Sequence, residues 1–256
     1  RRDYPLEVIK KRVEEHHRMV LEKSSGLVKS SPAVTVSILE NGGGKISVKN
    51  HRPCAFWDSF REHFRRSRGM KAWIAGNGLK VRGVPSLRPL ALMEIRDWSG
   101  LRESSFLMEV SEAHQELDRY ILQSLGDFKE KRVFIKAFSK WLSQYHKKNL
   151  YHRDMKTCNI LVSKGRDTWG FHLLDLEDVR LDKKVSGREL FKTFLQLNTS
   201  TPKTVATTDR FRFFGEYLRL NPIVKDRKSF LRRLIHESKR REVVYVTPWG
   251  VVTEKL

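Results

Sequence analysis

The sequence predicts an α+β protein of two lobes: a small first lobe with an antiparallel sheet and one long helix, and a larger, mainly helical second lobe. Three observations carry that expectation. Alternating, β-branched segments separated by turn residues are confined to the first 110 residues; apolar stripes at helical spacing dominate afterwards; and the one chemically dense segment, 151–178, falls in the helical part.

Residues 1–25, rich in Lys, Glu and His, read as an N-terminal helical extension with Leu6, Ile9, Val13 and Val20 on its apolar face. The segments 33–39 (AVTVSIL) and 45–49 (KISVK) flank Glu40-Asn41-Gly42-Gly43-Gly44, a hairpin signal, and read as two antiparallel strands. A long helix is expected over about 56–82, with Gly76 and Gly78 as weak points, until Pro85 and Pro89 break it. Residues 90–95 and 105–110 read as a further strand pair, which closes a first lobe at 26–110. In a second lobe at 111–256, helices are expected at 112–125 and at 132–147, where Val133, Phe134, Phe138, Trp141, Leu142 and Tyr145 share a face. Short strands are expected near 160–162 and 171–174, and helix elsewhere up to a basic C-terminal helix.

The 256 residues carry 51 Lys+Arg against 30 Asp+Glu, a formal net charge of +21. Such a surplus attracts polyanions: nucleic acid, an anionic membrane face or a phosphorylated substrate. Basic density peaks at 61–68 and 226–241, and in the second run Phe230, Leu231, Leu234 and Ile235 recur at helical spacing beneath the cations. No apolar run approaches the roughly 18–20 residues that span a bilayer, and the opening RRDYPLEVIKKRVEEHH has no apolar signal core. Cys54 and Cys158, far apart, exclude a disulfide scaffold and a Cys-rich zinc site. The expectation is a soluble, cytosolic protein.

The chemistry concentrates in YHRDMKTCNILVSKGRDTWGFHLLDLED, residues 151–178. His152-Arg153-Asp154 followed at the fifth position by Asn159, then an apolar strand, a turn and an apolar strand ending at Asp175, is the pattern of a protein-kinase catalytic loop and its metal-binding aspartate. Asp154 is the candidate to accept the proton of an attacking hydroxyl, and Lys156 to donate to the transferring phosphoryl group. Asn159 and Asp175 offer the hard oxygen atoms that Mg²⁺ prefers, and Mg²⁺ offsets the charge of ATP phosphates. Upstream, Lys49 closes a strand where a phosphate-pairing lysine would sit. Met108, Glu109 and Val110 end the strand that would reach the adenine-binding hinge. The fold expectation thus becomes protein-kinase-like.

Further residues narrow it. Ser67-Arg68-x-x-Lys71-Ala72-Trp73, then Leu79-x-x-Arg82-Gly83-Val84-Pro85-Ser86-x-Arg88-Pro89-Leu90, the His152-Arg153-Asp154 loop with Asn159, and Leu174-Asp175-Leu176-Glu177-Asp178-Val179-Arg180-Leu181 together resemble the lipopolysaccharide kinases, the Kdo/heptose kinase (WaaP-like) family of Gram-negative bacteria, over about 26–217. The Asp-Leu-Glu in place of Asp-Phe-Gly, and the lack of an Ala-Pro-Glu motif after Asp175, argue against a conventional protein kinase. The resemblance implies ATP- and Mg²⁺-dependent phosphorylation of a Kdo or heptose hydroxyl on lipid A-core oligosaccharide. It also implies peripheral attachment to the anionic cytoplasmic face of the inner membrane, with no nucleic-acid partner. A small RIO-like protein kinase and a pseudokinase that only binds polyanions are the alternatives. Three positions depart from the family pattern: Gly26 is the only glycine before the strand at 33–39, so no glycine-rich phosphate loop is readable; Ala72 stands where the family carries the glutamate that pairs with the strand lysine; and Arg188-Glu189-Leu190 replaces Arg-Asp-Leu. Glu62 lies about three turns before Ala72 on the same expected helix, so the acid that pairs with Lys49 is left open.

Overall fold

The structure is a computed structural model that describes residues 5–42, 44–54, 65–98, 100–110, 114–166 and 168–255. The chain forms two compact units, Arg1–Glu112 with Asp175–Glu177, and Ala113–Leu174 with Asp178–Leu256.

The first unit is built on a five-stranded antiparallel sheet. Its strands are β1 (Leu27–Ser30), β2 (Val34–Asn41), β3 (Gly44–His51), β4 (Pro89–Asp97) and β5 (Gly100–Val110), in the order β1-β2-β3-β5-β4. Both expected strand pairs are present, each longer than the sequence pattern indicates. The pairing Asn41↔Gly44 closes the hairpin tightly, and Gly42 at φ 53° supplies the left-handed turn that an L side chain resists. Helix α1 (Leu6–Glu22) covers one face of this sheet. Val13 is buried with Leu39, Ile46, Val48, Leu90, Ala91 and Leu107, and Ile9 and Met19 pack at the edge. Each aliphatic side chain fully buried here contributes about 1.5–3 kcal/mol. Residues 6–22 are therefore built into the sheet's core. His16, fully buried, is satisfied by Ser37 Oγ at 2.6 Å and Thr35 Oγ1 at 2.9 Å. Burial, with the neighbouring His17, pushes its pKa down to about 4.

Helix α2 spans Arg68–Val81, shorter than the helix expected over 56–82. Ser67 caps it, accepting the Met70 amide at 2.9 Å and donating to Glu94, so the cap stops the helix extending upstream. Residues 55–64, and with them Glu62, lie outside the described residues. Gly76 is a site of close approach: a Cβ there would stand 2.5 Å from Pro89 Cγ and 3.1 Å from Leu176 Cδ1. Ala72, Ala75 and Leu79 line the same buried side.

The second unit opens with β6 (Gln115–Glu116), which pairs with β8 (Ile160–Lys164), itself paired with β9 (Trp169–Leu173). Pairing with β8 overrides the helix expected from 112, which begins only at α3 (Leu117–Gln123). Helix α4 (Phe128–Lys147) starts at the Asp127 cap, whose side chain accepts the Glu130 amide at 2.9 Å. It ends where Asn149 turns to φ 56°. Most of its expected apolar face is buried, Phe134, Phe138, Leu142 and Tyr145 among it, with Phe134 and Phe138 in ring contact with Phe171 at 5.7 and 5.2 Å; Val133, expected on that face, is instead exposed.

Helices α5 (Gly187–Ser200), α6 (Thr207–Leu220) and α7 (Arg227–Lys239) complete the helical layer. Glu189, the residue that departs from the family pattern, forms a capping box with Ser186, accepting its amide at 2.9 Å and its hydroxyl at 2.8 Å. The basic helix α7 is present, and its apolar stripe is used within the unit. Phe230 contacts Phe214 at 5.4 Å and Phe191 at 5.5 Å, and Leu234 is buried. The chain does not remain helical to its end: β11 (Glu242–Thr247) and β12 (Gly250–Lys255) form a hairpin. Val243, Val244, Val246, Val251 and Val252 supply β-branched residues around Pro248-Trp249-Gly250. The Val246 amide donates to Asp118 Oδ2 at 2.8 Å, and burial raises the pKa of that carboxyl.

Candidate active site

The second unit holds the loop predicted to be catalytic. Strand β7 (Tyr151–His152) pairs with β10 (Val179–Arg180), which fixes the entry to the loop. His152 is completely buried. Its Nε2 donates to the Leu174 carbonyl at 3.1 Å and its Nδ1 accepts the Asp154 amide at 3.2 Å, so the ring pins the loop to the end of β9. Arg153 holds Asp178: Nε and Nη2 reach Oδ1 at 3.0 and 2.5 Å, and the Arg153 amide donates to the Asp178 carbonyl at 3.0 Å.

Asp154, Lys156 and Asn159 converge within this loop. Lys156 Nζ lies 3.1 Å from Asp154 Oδ1. Asn159 Nδ2 donates to the Asp154 carbonyl at 2.9 Å and to Oδ2 at 3.2 Å. A one-turn 3₁₀ helix, Thr157–Asn159, brings the asparagine back beneath the aspartate, and the Asn159 carbonyl accepts the amide of Leu174 at 2.9 Å. With Nδ2 committed to Asp154, the asparagine's remaining side-chain atom is an oxygen, the donor type suited to Mg²⁺.

The first unit contains Lys49 and Asp175. Lys49 is 7% exposed, and its Nζ lies 2.6 Å from both Asp175 Oδ1 and Glu177 Oε1. Burial alone pushes this ammonium's pKa down, but Glu177 and then Asp175 outweigh it and leave the pKa above its ordinary value. Lys49 thus stays charged. His51, one side-chain repeat along β3, lies 3.5 Å from Glu177 Oε1, and burial followed by the Lys49 charge lowers its pKa to about 3. Asp175 adopts a left-handed backbone, φ 49°.

Met108, Glu109 and Val110 close strand β5, paired with Ser47, Ile46 and Lys45. Met108 is buried, and the Glu109 amide donates to the Arg88 carbonyl at 2.9 Å. The residue that sequence reasoning missed is Glu177, the second acid on Lys49. The helix position where the family pattern carries a glutamate is Ala72, 1% exposed. Its only sequence signal was the acidic cluster Asp175-Leu176-Glu177-Asp178.

A comparison with curated proteins finds no match. Among solved structures, one described as WaaP in complex with acyl carrier protein is similar to 87% of this chain and 91% of its own, with a TM-score of 0.63 and 18% identity. That likeness speaks for the fold, an α+β architecture with a small antiparallel sheet and a helical part. The model of the lipopolysaccharide kinase (Kdo/WaaP) family matches residues 44–217, a span that contains Lys49, the Asp154 loop and Asp175. This chain therefore belongs to the lipopolysaccharide kinase (Kdo/WaaP) family, phosphotransferases acting on a sugar hydroxyl.

Proposed function

We propose that this protein transfers the γ-phosphoryl group of ATP to a Kdo or heptose hydroxyl of the lipopolysaccharide inner core. The observation that carries the reading is the convergence of Asp154, Lys156 and Asn159 in one loop, within the family match. Asp154 accepts or orients the proton of the sugar hydroxyl, and Lys156 donates to the phosphoryl oxygens as they move. Lys49, kept charged by Glu177 and Asp175, holds the nucleotide phosphates. Met108, Glu109 and Val110 end the strand that would lead to the adenine. The donor chemistry suits Mg²⁺, for which Asn159 and Asp175 would supply oxygen ligands; the ion when bound neutralises phosphate charge. The protein's share of catalysis is then positioning and electrostatics.

Incubation with labelled ATP, Mg²⁺ and dephosphorylated inner-core oligosaccharide, followed by mass spectrometry, tests the reading. One added phosphate on a core sugar supports it; label on generic protein acceptors alone turns it towards a protein kinase, and no nucleotide binding towards a pseudokinase.

We propose that the enzyme works at the cytoplasmic face of the inner membrane, where the acceptor's lipid end would lie. No described helix is long and apolar enough to cross a membrane. Attachment would be peripheral, through cations such as those of α7, each worth about 1 kcal/mol near an anionic surface. Cosedimentation with anionic but not zwitterionic vesicles, lost at high salt, is the expected result.

A protein partner is favoured by a second observation. The second unit contains a cavity of about 780 Å³ lined by side chains such as Leu122, Phe138, Phe211, Leu231 and Ile235. The similar solved structure is of WaaP with acyl carrier protein. We read the cavity as room for an acyl chain delivered by such a carrier; copurified fatty acid, released on denaturation and identified by mass, would support it.

A further inference from the structure

We infer that Gln196 is a positioning residue for Asp154, a neutral clamp from helix α5 that holds the carboxylate oriented towards the incoming hydroxyl. The inference rests on the proposed role of Asp154 and assigns a residue that no motif in the sequence marks.

The Gln196 amide engages three consecutive loop residues. Its Nε2 donates to the Arg153 carbonyl at 3.0 Å and to Asp154 Oδ1 at 3.0 Å, while its Oε1 accepts the Met155 amide at 3.1 Å. One turn further along the same face of α5, Ser200 Oγ accepts the Thr157 amide at 2.9 Å, and the Ser200 carbonyl accepts Thr157 Oγ1 at 2.5 Å. The loop is thus fastened at two points to a helix that is itself well anchored: Leu190, Phe194 and Leu197 are buried, and the capping box secures its first turn.

The chemistry selects an amide at this position. Only Asn or Gln combines two N–H donors with a carbonyl acceptor on one rigid plane, and the site uses both kinds. The donors on Asp154 are then Gln196 and Lys156 at Oδ1 and Asn159 at Oδ2. A carboxylate has about four lone-pair directions, so acceptor capacity remains for a substrate hydroxyl. Two of those three donors are neutral amides, so they fix the direction of the carboxylate without adding charge beside it.

The test is phosphoryl transfer from ATP to dephosphorylated inner-core oligosaccharide by Gln196→Glu and Gln196→Met, with circular dichroism to verify folding. Gln196→Glu keeps the acceptor for Met155, loses both donors and adds a negative charge beside Asp154. We expect kcat to fall about 100-fold and KM for ATP to stay within about twofold. Gln196→Met should lower kcat about tenfold with KM for ATP unchanged. A side chain that merely stabilised α5 would lower the melting temperature and leave kcat native in the folded protein, and that result in either variant overturns the inference. Asp154→Asn separates the inference from its foundation. If Asp154→Asn is inert while Gln196→Glu is native-like, the clamp alone fails; if Asp154→Asn turns over normally, the role of Asp154 fails and the clamp with it.

Discussion

The cluster around Lys49 in the first unit and the loop around Asp154 in the second both order polar side chains, by opposite means. Lys49 is buried against two carboxylates, with a neutral His51 alongside, so charge is balanced by charge. The Asp154 carboxylate is held by two side-chain amides, from Asn159 and Gln196, with Lys156 as its cation, and its backbone amide donates to the His152 ring. Ion pairs in low dielectric resist loss of either partner, because the survivor is left as an uncompensated charge. Neutral hydrogen bonds set direction at modest net energy, about 0.5–1.5 kcal/mol each. The contrast teaches that stability should be more sensitive at Lys49 and rate more sensitive at Asp154.

The sharpest test of that division is Asp154→Ala, expected to cut kcat by about 10²–10⁴-fold with little change in melting temperature. A large loss of stability instead would erase the distinction. Glu177→Ala should act the other way round, destabilising the protein by about 1.5–3 kcal/mol in denaturant titration, because a charged hydrogen bond is lost while Asp175 still pairs with Lys49. The carboxylate of Glu177 is 12% exposed against 40% for Asp175, so the more exposed, solvent-screened acid should cost less stability when removed.

A smaller effect follows from pH. The folded-state pKa of His51, about 3, lies below its ordinary 6.5. Above pH 6.5 both folded and unfolded forms are neutral; as pH falls from 6.5 towards 3 the unfolded chain takes up a proton that the folded one refuses. Stability should therefore fall with acidification in that window, and His51→Gln should reduce the slope by up to one proton, about 1.4 kcal/mol per pH unit. An unchanged slope would show that His51 does not share the buried character of Lys49. The smallest expected effect is Gly76→Ala. Helix propensity favours the change by about 1 kcal/mol, but the new Cβ meets Pro89 and Leu176. Overpacking of about 1–3 kcal/mol should outweigh it and lower Tm by a few degrees.

Much of this arrangement was legible in the residues because its signals are local. The His152-to-Asn159 spacing, the Gly42 turn between alternating strands and the aromatic face of α4 each follow from short-range pattern. What was not legible depends on distance in sequence. Glu177 reaches Lys49 across 128 positions and Gln196 reaches Asp154 across 42, and no periodicity reports such pairs. The helix expected over 56–82 starts only at Arg68 because the Ser67 hydroxyl accepts the Met70 amide as a cap, a role that the apolar pattern does not report. The terminal hairpin was overlooked because the cationic texture of α7 was carried past Arg241, although Val243, Val244 and Val246 are a plain strand signal.

The left-handed backbone of Asp175 bears on how that residue can be studied. Aspartate and asparagine settle into this conformation with little penalty, whereas alanine pays about 1 kcal/mol or more. Alanine scanning would thus confound a bent peptide with a missing carboxylate. Asparagine preserves the bend and removes only the negative charge, which makes it the cleaner probe of what that charge does.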